Sequence, residues 1–484
     1  MAVRVRFAPS PTGFVHIGSL RTALYNYLFA RKNNGVCVLR IEDTDRERYV
    51  EGALENLLEA MKWVGIDFDE SLISGGEYGP YKQSERLDIY KKHIDVLLNK
   101  KLAYPCFATT QDLTEMRERQ IARGEAPIYD GRFRDFPKDE ADKRIAAGEP
   151  YVVRMRVPKT GETIVDDMIR GTVSFDNTLI DDQVLMKSDG FPTYHFANVV
   201  DDHLMQISHV IRGEEWLPST PKHVLLYRFF EWDIPQFAHL PLLLNHDRSK
   251  LSKRQGDVAV EDFRKKGYLP EALVNFVALL GWSAGDNQEI FSMTDLINQF
   301  SLDHVNKSGA VFDVAKLDWL NGHYLRDMEP GKRIEFLTPF LKEQGLDVSG
   351  PDRLHNMIDA IYPRISNAAE IPSTAAIFIH DTLTIDEPEA LEVLRVPTAV
   401  TVLSEFRKKV MKQEIFDSSH FKSIMKEIQK EQGIKGPALW KPVRVALTGS
   451  ISGPELPLVI DIIGREKVLD FVKQALEKHL TIKN

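Results

Sequence analysis

The feature that most limits the fold is an opening strand, turn and helix. Val3 to Phe7 reads as a short strand, Ala8 to Gly13 is a turn rich in Pro and Gly, and an amphipathic helix follows from about His16 to Arg31, with Ile17, Leu20, Leu24, Tyr27 and Leu28 on one face. A second strand, Val36 to Ile41, comes next. This alternation builds a parallel sheet, and ligands in such folds sit beyond the carboxyl ends of the strands. Ala8-Pro9-Ser10 and Glu42-Asp43-Thr44 occupy those ends and converge on one crevice. The expected fold is α/β, a Rossmann-like doubly wound parallel sheet.

The start of the first helix should offer unpaired N–H groups and a positive dipole end to an anion, phosphate above all. Gly18 should let a base or ribose lie against the backbone, and His16 can donate to phosphate oxygens. Far along the chain, Lys250-Leu251-Ser252-Lys253-Arg254 sets three cations within five residues, a cationic clamp. Together the two segments read as a split ATP site. Blander alternatives stand beside each: a locally bonded histidine at a helix start, and a solvated basic loop.

Further segments narrow the reading. They are Arg6 to Gly18, Arg40-Ile41-Glu42-Asp43-Thr44-Asp45-Arg46, Gly79-Pro80-Tyr81 with Gln83-Ser84-Glu85-Arg86, Pro192 to His203, and His209 to Trp216. In this order the set resembles the bacterial-type glutamyl-tRNA synthetases of class I, with His16 and Gly18 in the HIGH signature and the lysine loop in the KMSKS signature. Ser19 replaces the second histidine of HIGH, and Leu251 and Arg254 replace methionine and the final serine of KMSKS.

The resemblance implies a glutamate–tRNA ligase that joins L-glutamate to tRNA(Glu) through a glutamyl-adenylate, with ATP and Mg²⁺. It implies glutamate contacts at Arg6, Ala8, Ser10, Glu42, Tyr194, Asn198 and Arg212, and ATP contacts at His16, Gly18, Glu215, Lys250, Leu251, Ser252, Lys253 and Arg254. His16, Lys250 and Lys253 carry the catalytic roles, and Arg364 in Tyr362-Pro363-Arg364-Ile365 is the candidate anticodon reader. Guanidinium groups match carboxylates in a bidentate fork, which suits Arg6 and Arg212, while Glu42 suits an ammonium. Taken singly, Arg6 could be an edge-strand arginine, Tyr194 and Asn198 a turn of solvated helix, and Glu42 a partner of Arg46. Rival readings are an enzyme that also charges tRNA(Gln) and a non-catalytic tRNA-binding paralogue. The latter would be expected to have lost His16, Gly18 or Lys253.

Composition sets the outer bounds. At 484 residues two or more domains are expected. No apolar run is long enough to span a membrane and no charged-then-apolar leader opens the chain, so a cytoplasmic monomer is expected. Cys37 and Cys106 lie on unrelated segments, which suits a reducing compartment. Net charge is −9, but residues 401–484 carry 15 Lys and Arg against 10 Asp and Glu, a local excess of +5 that leaves −14 on residues 1–400. That asymmetry fits an RNA-facing C-terminal region.

The chain divides, on this reading, into catalytic halves at 1–105 and 191–240, split by an acceptor-stem-binding connective insertion of α+β character at 106–190. A helical stem-contact domain with the lysine loop follows at 241–328, and a helical anticodon-binding region at 329–484. Many relatives bind zinc in the insertion. Here Cys106 is followed by Phe107-Ala108, and Tyr129-Asp130-Gly131-Arg132 ends in Phe133, so one thiol stands where zinc needs three or four ligands. No zinc is expected.

Overall fold

The computed structural model describes residues 2–251 and 258–483. Ser252, Lys253 and Arg254 of the lysine loop therefore lie outside the described residues. Two compact units result, residues 1–263 with 270–314, and residues 264–269 with 315–484.

In the first unit β1 (Arg4–Phe7), α1 (Ile17–Lys32) and β2 (Val36–Leu39) form the expected parallel βαβ start, with Arg6 in register with Val38. Helices α2 (Ala53–Trp63) and α3 (Leu87–Asn99) follow. Gln83–Glu85 form a separate 3₁₀ turn just ahead of α3. β3 (Ala103–Cys106), β4 (Val152–Met155) and β7 (Val184–Met186) make a small antiparallel sheet around the insertion, which also holds α4 (Thr110–Ala122) and α5 (Lys138–Ala146).

The segment expected to form an insertion is not wholly separate from the strands that follow it. β5 (Glu162–Asp167) pairs antiparallel with β6 (Gly171–Asp176), and its end, Asp167, pairs in parallel with Phe237 of β9 (Gln236–Leu240). β9 lies parallel to β8 (His209–Gly213), giving the order β6-β5-β9-β8. The reason is visible in β5, whose residues alternate exposed and buried, with Thr163, Val165 and Asp167 turned inward. Between these strands run α6 (Tyr194–Leu204) and α7 (Thr220–Phe230). Their apolar residues Phe196, Val199, Val200, Leu225 and Leu226 share one core with Val210 and Phe237.

The second unit is helical. Pro330–Glu343, Pro351–Ile361, Pro388–Arg395, Pro397–Met411 and Pro437–Thr448 each begin on proline, whose fixed φ and missing N–H cost nothing at a helix start. The last helical stretch, Leu456–Lys483, breaks at Gly464, where φ is +76°. Only glycine enters that region freely.

Candidate active site

The segment just after the lysine loop meets the start of α1. The Ile17 N–H donates to Val258 O at 2.9 Å, and Val260 N–H to Val15 O at 2.9 Å, so the segment leaving the lysine loop is stitched to the signature. The segment entering it folds as a hairpin in which Leu251 N–H donates to Leu243 O at 2.9 Å. Lys250 is exposed and Leu251 half-buried on that hairpin.

The helix start is partly engaged by the fold itself. Its Ile17 amide is engaged by Val258, and the Ser19 amide donates to His16 Nδ1 at 3.2 Å, so these N–H groups are not open to an anion. The space over Gly18 is taken by His16 itself, since a Cβ there would lie 3.0 Å from the His16 Cε1. Gly18 thus serves to let the imidazole cap its own helix. Gly213 has a like role for Glu215, because a Cβ at Gly213 would sit 2.5 Å from that residue's carboxyl carbon. Glu215 is exposed, while its neighbour Glu214 is tied into the fold by Leu242 N–H at 2.8 Å and Arg170 at 2.5 Å.

One face of α6 organises the rest. Tyr194, Asn198, Asp201 and Asp202 recur at i, i+4, i+7 and i+8 and so point the same way. Asp202 receives Arg6 Nε at 3.0 Å and Arg40 Nη1 at 2.8 Å, all three groups buried. Asp201 accepts from Arg86 Nε at 2.8 Å, Gln83 Nε2 at 2.9 Å and the Tyr90 hydroxyl at 2.7 Å. Glu42 accepts from Arg40 Nη2 and from Asn198 Nδ2, each at 3.1 Å, and not from Arg46. Backbone bonds bring the turn after β1 alongside, with Glu42 N–H donating to Pro9 O at 3.0 Å between half-buried Ala8 and exposed Ser10.

Charge in this cluster is unevenly matched. Burial pushes the Asp202 carboxyl up, but Arg6 and Arg40 outweigh it and hold the group below the usual carboxylate range. For Glu42 burial wins over Arg40, Arg6 and Asn198, and its carboxyl lies above the usual range. Arg6 spends only its Nε on Asp202, and its two Nη groups bond to no described residue.

Arg212 differs from the other buried arginines of the cluster. Its exposure is only 4%, yet it has no carboxylate within ion-pair distance among the described residues. Instead Nε donates to His239 Nε2 at 3.1 Å, Nη2 to Thr220 Oγ1 at 3.0 Å, and Nη1 to the Tyr194 hydroxyl at 3.0 Å, with His223 Nδ1 at 3.3 Å. Each of these partners is neutral. Burial, aided by Arg212, keeps His223 well below its ordinary value, and burial lowers His239 against the pull of Asp167. Burial, Lys222 and Arg212 bring His195 down to about 4. A buried guanidinium without a counter-charge is costly unless an anion arrives.

These histidines make stability pH-dependent. They titrate near 6.5 in the unfolded chain and lower when folded, so between those values the unfolded state binds more protons and stability falls as pH drops. His223 and His239 should therefore both weaken the fold progressively as pH falls below about 6.5. Urea midpoints at pH 7.5, 6.5 and 5.5 check this. Equal midpoints would contradict the neutral-histidine cradle.

In the insertion, the Cys106 thiol donates to the Tyr129 hydroxyl at 3.2 Å. Phe107 stands 5.8 Å from Phe133 and from Tyr151, with the Arg144 guanidinium 4.3 Å above its ring. An apolar ring cluster capped by an arginine does not offer the donors zinc needs. Elemental analysis of tag-free protein should therefore find far less than one zinc per chain. Stoichiometric zinc would overturn this account of the insertion.

Residues 2–319 match the family described as "tRNA synthetases class I (E and Q), catalytic domain", and residues 332–476 match "Anticodon binding domain". The glutamate–tRNA ligase of Alkaliphilus metalliredigens is 52% identical over 491 residues, covering 99% of this chain and 99% of that one. The chain belongs to the class I glutamate–tRNA ligases. That of Clostridioides difficile is 51% identical, over 97% of this chain and 98% of its own. Among solved structures, a glutamate tRNA ligase from Elizabethkingia meningosepticum in complex with its amino acid superposes with a TM-score of 0.89 at 38% identity, over 99% of both chains. The glutamate-tRNA synthetase of Elizabethkingia anophelis matches equally, over 99% of this chain and all of its own.

The second unit carries the anticodon-binding match. There Arg364 is exposed, hydrogen-bonds Gly453 O through Nη2, and shares that carbonyl with Arg444. No described helix is long and apolar enough to cross a membrane, and no described group of three His, Cys, Asp or Glu could hold a metal.

The sequence alone does not single out Arg40, Asp201, Asp202, Thr220, His223, His239 and Asp167 as parts of this cluster. The recurrence of polar residues on one face of the otherwise apolar α6 was the available signal for the two aspartates. No local signal marks His239 or Asp167.

Proposed function

We propose that the crevice activates L-glutamate with ATP and passes it to the 3′ end of tRNA(Glu), with Arg212 and Arg6 receiving the side-chain carboxylate. The observation that carries this reading is the buried Arg212 held only by neutral groups. A carboxylate entering there supplies the missing charge, whereas glutamine's amide does not. Glu42 and Asn198 would take the α-ammonium, and its arrival favours the ionised Glu42. Tyr194, fixed by Arg212 and with its ring tilted 37° against Trp216 at 4.2 Å, would shape the pocket beside Ala8 and Ser10.

The reaction is attack of a carboxylate oxygen on the α-phosphorus of ATP with pyrophosphate leaving. That nucleophile is ionised at neutral pH, so no general base is required, and positioning and charge stabilisation remain. His16 at the helix cap, Gly18, Glu215, Lys250 and Leu251 form the ATP side, together with Ser252, Lys253 and Arg254 of the lysine loop. Mg²⁺ carried by the nucleotide would offset charge on the leaving pyrophosphate. A monomer acting in the cytoplasm, where Cys37 and Cys106 stay reduced, completes the reading.

Aminoacylation of purified tRNA(Glu) and tRNA(Gln) with labelled glutamate tests it. Charging of tRNA(Glu) is expected, and charging of tRNA(Gln) to a similar extent would mark the non-discriminating alternative. Failure to charge either would overturn the proposal.

A further inference from the structure

Arginine can only donate hydrogen bonds, and this fixes the protonation of everything around Arg212. His239 Nε2 receives Arg212 Nε–H at 3.1 Å, so it bears no proton, and the imidazole proton is on Nδ1. There Asp167 Oδ2 receives it at 2.6 Å. The carboxylate is itself pinned, since Oδ1 accepts from the Ile169 and Arg170 amides at 3.0 and 2.8 Å and Oδ2 from the His239 amide at 3.1 Å. On the other flank His223 Nδ1 faces Arg212 Nη1 at 3.3 Å, which leaves its proton on Nε2, 3.0 Å from His195 Nδ1. Hydrogen-bond polarity therefore runs outward from the guanidinium in both directions.

We propose that Asp167 and His239 are a positioning pair for carboxylate recognition, in which Asp167 locks His239 in the Nδ1–H tautomer so that Nε2 can hold the plane of Arg212. This rests on the reading of Arg212 as the group that meets the glutamate side chain. An aspartate placed directly against Arg212 would orient it equally well but would neutralise it. Setting one imidazole between them conveys the orientation while keeping the carboxylate off the guanidinium. Arg212 thus stays fixed and uncompensated, the state a substrate carboxylate needs. The pair spans β5 and β9 at the parallel pairing of Asp167 with Phe237, so the hairpin of the insertion contributes directly to the pocket. Burial keeps His239 neutral, as the lock requires.

The test has two arms. In histidine-¹⁵N-labelled wild-type protein without substrate, with the His239 signals assigned by their loss in His239→Gln, NMR should find His239 protonated on Nδ1 and not on Nε2. In tRNA-dependent ATP–pyrophosphate exchange, His239→Leu should raise the KM for glutamate at least about tenfold with the KM for ATP within about twofold, and His239→Gln, whose Oε1 can accept from Arg212, should recover most of the loss. A purely structural histidine would move both KM values together and gain nothing from glutamine. Either that pattern or a proton on Nε2 overturns the proposal. Should His239→Leu fail to fold, the tautomer alone decides. A wild-type enzyme that does not activate glutamate would refute the functional reading instead, and the substrate-free NMR arm would still report on the lock.

Discussion

Asp202→Ala should destabilise the first unit by about 3–5 kcal/mol, the scale of breaking a buried ion pair from one side. The aspartate holds two buried arginines at once, at 3.0 Å to Arg6 and 2.8 Å to Arg40. Arg40 would retain Glu42 at 3.1 Å, but Arg6 would lose its ion pair altogether. Asp202→Asn keeps an acceptor of the same shape and should cost distinctly less. Urea unfolding followed by tryptophan fluorescence separates the three proteins. An alanine variant within about 1 kcal/mol of wild type would mean that the arginines find water or other partners, and that Asp202 is not the anchor of the pocket.

That anchor was hidden in the sequence for a physical reason. Arg6 and Asp202 are 196 positions apart, and periodicity reveals which face a residue occupies but not what meets it there. The βαβ opening was legible because its pattern is local, with the Pro and Gly turn, the helical stripe and the second strand all within residues 3–41. Glu42, Asn198, Tyr194 and Arg212 were legible through matched motifs, and the folded chain joins Glu42 to Asn198 and Arg212 to Tyr194 by hydrogen bonds. The pairing of the insertion's hairpin with β9, and with it the Asp167–His239 bond, depends on sheet order, which no motif encodes. Gly18 shows a further use of a missing side chain, since the His16 ring of the same signature lies where a Cβ would be.

The second large effect concerns substrate choice. Arg212→Gln should weaken the use of glutamate by at least about tenfold and affect glutamine far less, since a charge-assisted hydrogen bond contributes about 1.5–3 kcal/mol and a neutral amide never drew on it. The same variant also removes the donor to Tyr194, so some loss common to both amino acids is expected. The difference between the two losses is the informative quantity. Equal losses would make Arg212 a structural arginine and put the carboxylate pocket elsewhere.

A buried Arg212 with no ion-pair partner should make this crevice select a carboxylate. Wild-type enzyme assayed by tRNA-dependent ATP–pyrophosphate exchange with glutamate and with glutamine, at equal concentrations and saturating tRNA(Glu), tests it most directly. Exchange with glutamate should be at least about a hundredfold faster than with glutamine, the scale expected when a site built for a charged partner meets a neutral one. Comparable rates with the two amino acids would contradict it.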